Sequence, residues 1–272
     1  MRKIALIIYM TCASLAEAQV IKVDHFYAYS NNAPELFEMF KTKFKLPPVY
    51  NYQEFGNVSS GGLWLGNVTM EFVNYRGSGV DKALFKGLAL EPVQHTDTIT
   101  QILDEYGVVY NPPAPVRFTV DGVDKTYWTN IVLKDLTSGD VRVFICDYTD
   151  RSFLSAPKKA ARKAFAEQEG GPLGIIGLKK IVIATSDVEK SMQAWVSIPG
   201  AKRAGNHFKF IEGPEIVVEK AEKDGIKEIQ VQVRSVEVAS KFLTEHQMLS
   251  QENKVTMIDP GKVFGLRIIL EQ

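Results

Sequence analysis

The sequence predicts an α+β protein made of four repeated βαβββ units, arranged as cupped mixed sheets in two halves. Three observations predict it. Residues Val23–Tyr29 and Val68–Val73 alternate in the manner of half-buried strands. Between them, Leu36, Phe37, Phe40 and Phe44 recur at three- and four-residue spacing, the apolar stripe of an amphipathic helix. The same order of element types then returns, with first strands beginning near residues 23, 87, 178 and 229. Repetition of this kind indicates duplicated supersecondary units rather than a solenoid. One such unit leaves a sheet face bare, so two pair to make a half and four make the chain.

The first unit opens on Asp24-His25-Phe26. Strict alternation puts Asp24, Phe26 and Ala28 on one face and His25, Tyr27 and Tyr29 on the other. Ser30 to Pro34 supplies helix-start residues and an early proline, and Leu46-Pro47-Pro48 ends the helix. Val49–Tyr52 and Gly62–Leu65 read as strands, and Gly66-Asn67 as the turn before the strand carrying Glu71. The second unit runs from Leu84 to Pro92 into a helix with a Thr98/Gln101 capping box, stopped at Gly107. A proline-rich loop over 112–115 and strands Thr129–Leu133 and Val141–Tyr148 complete it.

Residues 151–174 read as a linker holding one helix, begun by Ser155-Ala156-Pro157 and ended by Gly170-Gly171. Its Lys158, Lys159, Arg162 and Lys163 read as a solvated face. The third unit has a strand over Gly177–Ala184, a helix capped by Ser186 or Asp187, and strands Phe208–Ile211 and Ile216–Glu219. The fourth has Ile229–Val233, a helix over Val236–Met248 and a closing strand over Val263–Leu270. The domain division is therefore 19–150, a linker at 151–174, and a second half over 175–272.

Composition sets the outer bounds. The 272 residues are 45% hydrophobic and 24% charged, with zero formal net charge, which is ordinary for a globular protein. Nothing in that balance favours nucleic acid or an acidic membrane. Residues 1–18 read as a signal peptide: Arg2 and Lys3, an apolar Ile4–Leu15, then Ala16-Glu17-Ala18 before Gln19. The expected location is secreted or periplasmic. No later apolar run reaches the ~18 residues a membrane span needs. Cys146, the cysteine left after cleavage, lies in the apolar run Val143–Cys146 and reads as a small buried hydrophobe. His95, His207 and His246 read as structural or exposed.

Asp24-His25-Phe26, Gly61-Gly62-Leu63-Trp64-Leu65-Gly66-Asn67 leading to Met70-Glu71-Phe72-Val73, and Gly87-Leu88-Ala89-Leu90-Glu91 resemble the vicinal-oxygen-chelate superfamily. That superfamily includes glyoxalase I, the fosfomycin and bleomycin resistance proteins and extradiol dioxygenases. The resemblance covers residues 21–150; over 175–272 it rests on element order. It implies a sheet cup with a site inside. In metal-using members a divalent ion there takes ligands from the first and last strands of two units and stabilises an oxyanion or enediolate as a Lewis acid.

Carried over residue by residue, His25 and Glu71 are the implied metal ligands (for Zn, Ni, Mn or Fe), with Glu71 also the implied catalytic carboxylate. An acid–base pair without metal is the alternative for the two. In the second unit, Gly87–Leu90 and Phe144 fall where ligands are expected, with Glu91 and Asp147 nearby. Lys180 falls at the position of His25 in the third unit, and Glu228 or Ile229 in the fourth. Tyr27, Tyr29, Tyr50, Tyr52 and Trp64 are candidate cup-lining, ligand-binding aromatics.

The expectation is an exported glyoxalase-like protein that binds a small oxygen-rich or aromatic molecule in the first-half cup. Its rivals are a metal-dependent lyase, isomerase or dioxygenase with a site completed by other residues or by a homodimer partner, and a sequestering binder of the bleomycin-resistance type. A purely structural duplication, with the cup filled by apolar side chains, is the remaining alternative.

Overall fold

The computed structural model describes residues 20–120 and 122–272, and the predicted signal peptide lies outside the described residues. The first unit consists of β1 (Val20–Tyr29), α1 (Ala33–Thr42), β2 (Pro48–Phe55), β3 (Val58–Trp64) and β4 (Thr69–Tyr75). The second consists of β5 (Leu84–Pro92), α2 (Thr96–Glu105), β6 (Ala114–Val120), β7 (Val123–Val132) and β8 (Arg142–Tyr148). A linking helix, α3 (Ser155–Glu167), leads to the third unit: β9 (Ile175–Thr185), α4 (Val188–Val196), β10 (Lys202–Ala204), β11 (His207–Lys209) and β12 (Glu215–Lys220). The fourth is β13 (Gly225–Val233), α5 (Val236–Glu245), β14 (Leu249–Glu252), β15 (Val255–Ile258) and β16 (Ile268–Glu271). All four units are βαβββ.

Within the first unit β1 pairs in parallel with β4, and β3 and β2 follow antiparallel. The second unit repeats this with β5, β8, β7 and β6. The two units meet through antiparallel β1 and β5, giving an eight-stranded sheet ordered β2-β3-β4-β1-β5-β8-β7-β6. Its far edges approach each other, and Phe55 of β2 meets Phe118 of β6 at a ring separation of 5.6 Å. The second half repeats the plan around β9 and β13. The halves join at the Ile226–Phe85 bridge, and the Asn67 side chain acts as a short strand edge: it donates to Leu178 O and accepts from Leu178 N, both at 2.9 Å.

The outer face of the first sheet is covered by α1. Phe37 and Phe40, three residues apart on its apolar stripe, pack on Phe72 at 6.2 and 5.2 Å. All three are buried, and each contributes about 1.5–3 kcal/mol of burial.

Four details differ from the sequence expectations. The α2 helix starts at Thr96 rather than at a Thr98 box. Its first turn is capped from β8 by Asp147, whose carboxylate accepts from Thr96 N and Oγ1 at 2.7 Å each. The supposed proline loop enters β6 at Ala114; β6 is the sheet edge, where Pro115 costs no ladder bond on the open side. The hairpin of β14 and β15, two strands of four residues each, is not among the sequence expectations, because strands this short show no clear alternation. The closing strand β16 begins only at Ile268, because Asp259 turns the chain by accepting from Gly261 N at 2.9 Å.

Candidate functional site

Each of the four first strands carries a one-residue bulge, and the bulge decides where the site residues point. In β1 the register slips between Val23 and His25, so Asp24 is the extra residue. In β5 it slips between Phe85 and Gly87, at Lys86. The third and fourth units slip at Lys179 and Lys227. Such a bulge re-aims side chains on its strand. Strict alternation, which puts Asp24 on the Phe26 face, is therefore corrected: Val23 and Phe26 both enter the main core, while Asp24 turns inward beside His25, Tyr27 and Tyr29.

The four residues that follow the bulges are His25, Gly87, Lys180 and Glu228. Phe26–Leu88 is the central pair of the β1–β5 ladder, flanked by His25–Ala89 and Tyr27–Gly87, so the local twofold carries His25 onto Gly87. Glu71, in register with Tyr27, is carried onto Phe144, in register with Ala89. In the second half the corresponding last-strand residues are Val217 and Ile269. The positions that the resemblance gives to metal ligands thus hold His25 and Glu71 in the first unit, and Gly87 and Phe144 in the second.

His25 and Glu71 face each other across the inner surface, Nε2 to Oε2 at 3.7 Å, too far for a hydrogen bond. Each is held from behind. Asp24 accepts from His25 Nδ1 at 2.9 Å, which turns Nε2 toward Glu71. Tyr50 donates its hydroxyl to Glu71 Oε1 at 2.5 Å. Tyr50 reaches Glu71 by lying flat over Gly62, where a Cβ would come within 2.5 Å of its ring. Tyr27 in the same way lies over Gly87, where a Cβ would stand 1.6 Å from its ring. A side chain at position 87 and the present Tyr27 ring exclude one another.

Asp24 is the centre of a buried network. It also accepts from the Tyr148 hydroxyl at 2.8 Å and from the ammonium of Lys158 on α3. Asp24 and Lys158 are 2% and 14% exposed, so the ion pair is largely cut off from solvent. Lys158 is thereby corrected from the solvated face. It shares a helix face with Leu154, Ala161 and Phe165 and points inward, while Lys159, Arg162 and Lys163 stay exposed. The α3 helix crosses this end of the cup, with the Arg162 guanidinium 4.7 Å above the Trp64 ring.

Burial opposes the charge on Asp24, but Lys158 and His25 outweigh it and hold the carboxyl well below its usual range. Burial likewise opposes the His25 cation; its bond to Asp24 and the charges of Glu71 and Asp24 outweigh that and raise the imidazole. Burial and the Glu71 charge push the Tyr50 phenol well up, so it stays a donor.

The predicted aromatics separate. Tyr27 and Tyr29 line the inner surface with Val73, Ala89, Phe144, Cys146 and Tyr148. Trp64 shares that face, paired with Thr69, but is buried under α3. Tyr52 is turned by a register slip in β2 to the outer side, where it packs on Phe37 at 5.8 Å. Glu91 is paired with Lys22 at 3.1 Å, and Asp147 caps α2, so neither completes a ligand set with His25 and Glu71. Among the described residues no third His, Cys, Asp or Glu joins them. Two donors fall short of the three protein ligands of a catalytic zinc site, and the Phe144 ring stands against His25 at 5.8 Å where a further ligand belongs. The described residues around His25 and Glu71 do not by themselves fit a divalent ion.

No family model and no curated protein matches the sequence. Solved structures match it in fold. A hypothetical protein from Staphylococcus aureus superposes with a TM-score of 0.60 at 10% identity, over 92% of this chain and 98% of its own. The 2,3-dioxygenase LapB from Pseudomonas sp. KL28 does so at 0.58 and 11% identity, over 94% of this chain and 93% of its own. The Mn(II)-bound glyoxalase from Novosphingobium aromaticivorans does so at 0.54 and 11%, over 93% of this chain and 82% of its own. The chain has the vicinal-oxygen-chelate fold, built as four units.

Proposed function

We propose that the first-half cup binds a small oxygen-bearing ligand between His25 and Glu71, without a metal ion, and that this binder is exported under the direction of residues 1–18. The observation that carries the reading is the gap itself. An imidazole nitrogen and a carboxylate oxygen stand 3.7 Å apart, each oriented by a separate partner, and do not bond to each other. They are 15% and 19% exposed, amid an otherwise aromatic and aliphatic surface. A few fixed polar groups in an apolar concavity are what orient a bound small molecule. A hydroxyl or enol oxygen between them donates to Glu71 and accepts from His25, whose raised basicity keeps its proton available. The same pair can exchange a proton with a bound ligand, Glu71 as base and His25 as acid.

The test is a titration of catechol, 4-hydroxybenzoate and methylglyoxal, read by NMR on mature protein, beside His25→Ala and Glu71→Gln. Elemental analysis of protein purified without chelator accompanies it. Binding by at least one probe, weakened in both variants and with no stoichiometric metal, is the expected result. Binding that is unaffected by either substitution overturns the site. About one divalent ion per chain, lost in His25→Ala, overturns the metal-free reading in favour of a metal-dependent enzyme. The dioxygenase and glyoxalase among the structural neighbours give that outcome its chemistry.

A further inference from the structure

We propose that the end of the cup opposite α3 is an anion subsite built on Arg142, so that the ligand carries a carboxylate some distance from the oxygen held by His25 and Glu71. The proposal rests on the site reading above and names the ligand class. Arg142 opens β8 beside Gly87, in register with it. Its guanidinium stacks 5.7 Å from the centre of the Phe144 ring. The His25 imidazole meets the same ring at 5.8 Å. The imidazole and the guanidinium therefore both meet the Phe144 ring, so a ligand that engages both lies against an aromatic surface and carries two polar groups.

The charges around this end are uneven. Among the described residues the ion pairs around the cup include Lys22–Glu91, Lys158–Asp24, His25–Asp24, His25–Glu71 and, more loosely at 3.9 Å, Lys86–Asp140; Arg142 is in none of them. Lys86 stands 5.1 Å over the Tyr29 ring, and Tyr29 meets Tyr75 at 5.4 Å. The phenols of Tyr27 and Tyr75 are kept protonated chiefly by burial, against the nearby Arg142 charge, which pulls both down. The acidic groups facing this end are Asp140, which Lys86 engages, and Glu71, whose charge also reaches both phenols. A guanidinium with its fork free, flanked by phenol donors, matches a carboxylate in geometry as well as charge.

The experiment compares two probes that differ in that one group, 4-hydroxybenzoate and 4-hydroxybenzyl alcohol, by calorimetric titration of wild-type protein, Arg142→Gln, Arg142→Lys and His25→Ala. Arg142 is exposed, so its replacement leaves the core untouched. The expected result is a carboxylate preference of about tenfold or more in the wild type. Arg142→Gln abolishes the preference with the alcohol's affinity unchanged, Arg142→Lys keeps part of it, and His25→Ala weakens both probes. Equal affinities in the wild type, or a preference that survives Arg142→Gln, overturn the anion subsite and leave the His25–Glu71 site standing. Binding of neither probe, up to its solubility, overturns the anion subsite, and overturns the His25–Glu71 site as well where catechol and methylglyoxal also fail to bind.

Discussion

Replacing Lys158 with Met is the sharpest test of how the cup is held together. Met keeps most of the aliphatic stem and removes the charge. In the structure this strands Asp24, a carboxylate 2% exposed that receives three donors: His25, Tyr148 and Lys158. Breaking a buried ion pair by removing one partner costs about 3–5 kcal/mol. Two donors remain on Asp24, which places the expected loss at the low end, about 3 kcal/mol. For a chain of this size that lowers the melting temperature by about 6–12 °C. The pH dependence gives a second readout. The folded-state carboxyl of Asp24 lies well below its ordinary value of 3.8. Its contribution is therefore complete above that value and is lost as pH falls through the folded one. In Lys158→Met the folded value rises, so acid unfolding begins at higher pH. Calorimetry across the acid range, with Asp24→Asn and the double variant completing a cycle, measures both. A melting temperature unchanged by Lys158→Met, with no coupling to Asp24, would refute the account of α3 as a helix pinned through the cup.

Two further outcomes follow from the same geometry. The His25 imidazole, followed by NMR, should titrate above its ordinary 6.5 and fall in Asp24→Asn, where burial remains and the hydrogen-bonded charge is gone; because the folded value is raised, its stabilisation is present below the unfolded value and disappears as pH rises through the folded one, and an unchanged titration in the variant counts against the pairing. Phe144→Glu places a carboxylate at the twofold mate of Glu71, so calorimetric titration with Mn(II) or Zn(II) should show divalent-ion binding stronger than in the wild type and dependent on His25, and no gain would mean that the register mapping does not describe a shared centre.

Much of the architecture was legible from periodicity. First strands read near 23, 87, 178 and 229 begin at Val20, Leu84, Ile175 and Gly225, because long half-buried strands and helix stripes impose their periods on the sequence. Alternation put His25 and Glu71 on defined strand faces, and the resemblance paired the two. What failed were features set by tertiary context. A one-residue bulge leaves no periodic trace, so Asp24 was assigned to the wrong face, and the slip in β2 likewise sent Tyr52 to the outer side. Capping of α2 by Asp147 comes from a strand far along the chain. Lys158 carried a signal that charge obscured: Leu154, Lys158, Ala161 and Phe165 lie at helical spacing, and three of the four are apolar. A basic residue in such a stripe is a buried cation awaiting a carboxylate.

The geometry of the four bulges bears on why a facing polar pair is present in the first unit and not in the others. Each first strand is bent at the same place, at Asp24, Lys86, Lys179 and Lys227, whether or not the next residue can bind anything. The bend is therefore a property of how two units meet across antiparallel first strands, and the chemistry is a separate choice made at the residue after it. At Gly87 that choice is the absence of a side chain, which lets the Tyr27 ring occupy the space, and Phe144 fills the matching last-strand position. Gly87 and Phe144 thus keep the packing of the inner surface while offering no donor, because aromatic rings fill both places. Asp24 in turn answers to Lys158 and His25. The inner surface so built holds His25 and Glu71 in fixed orientations beside an aromatic wall.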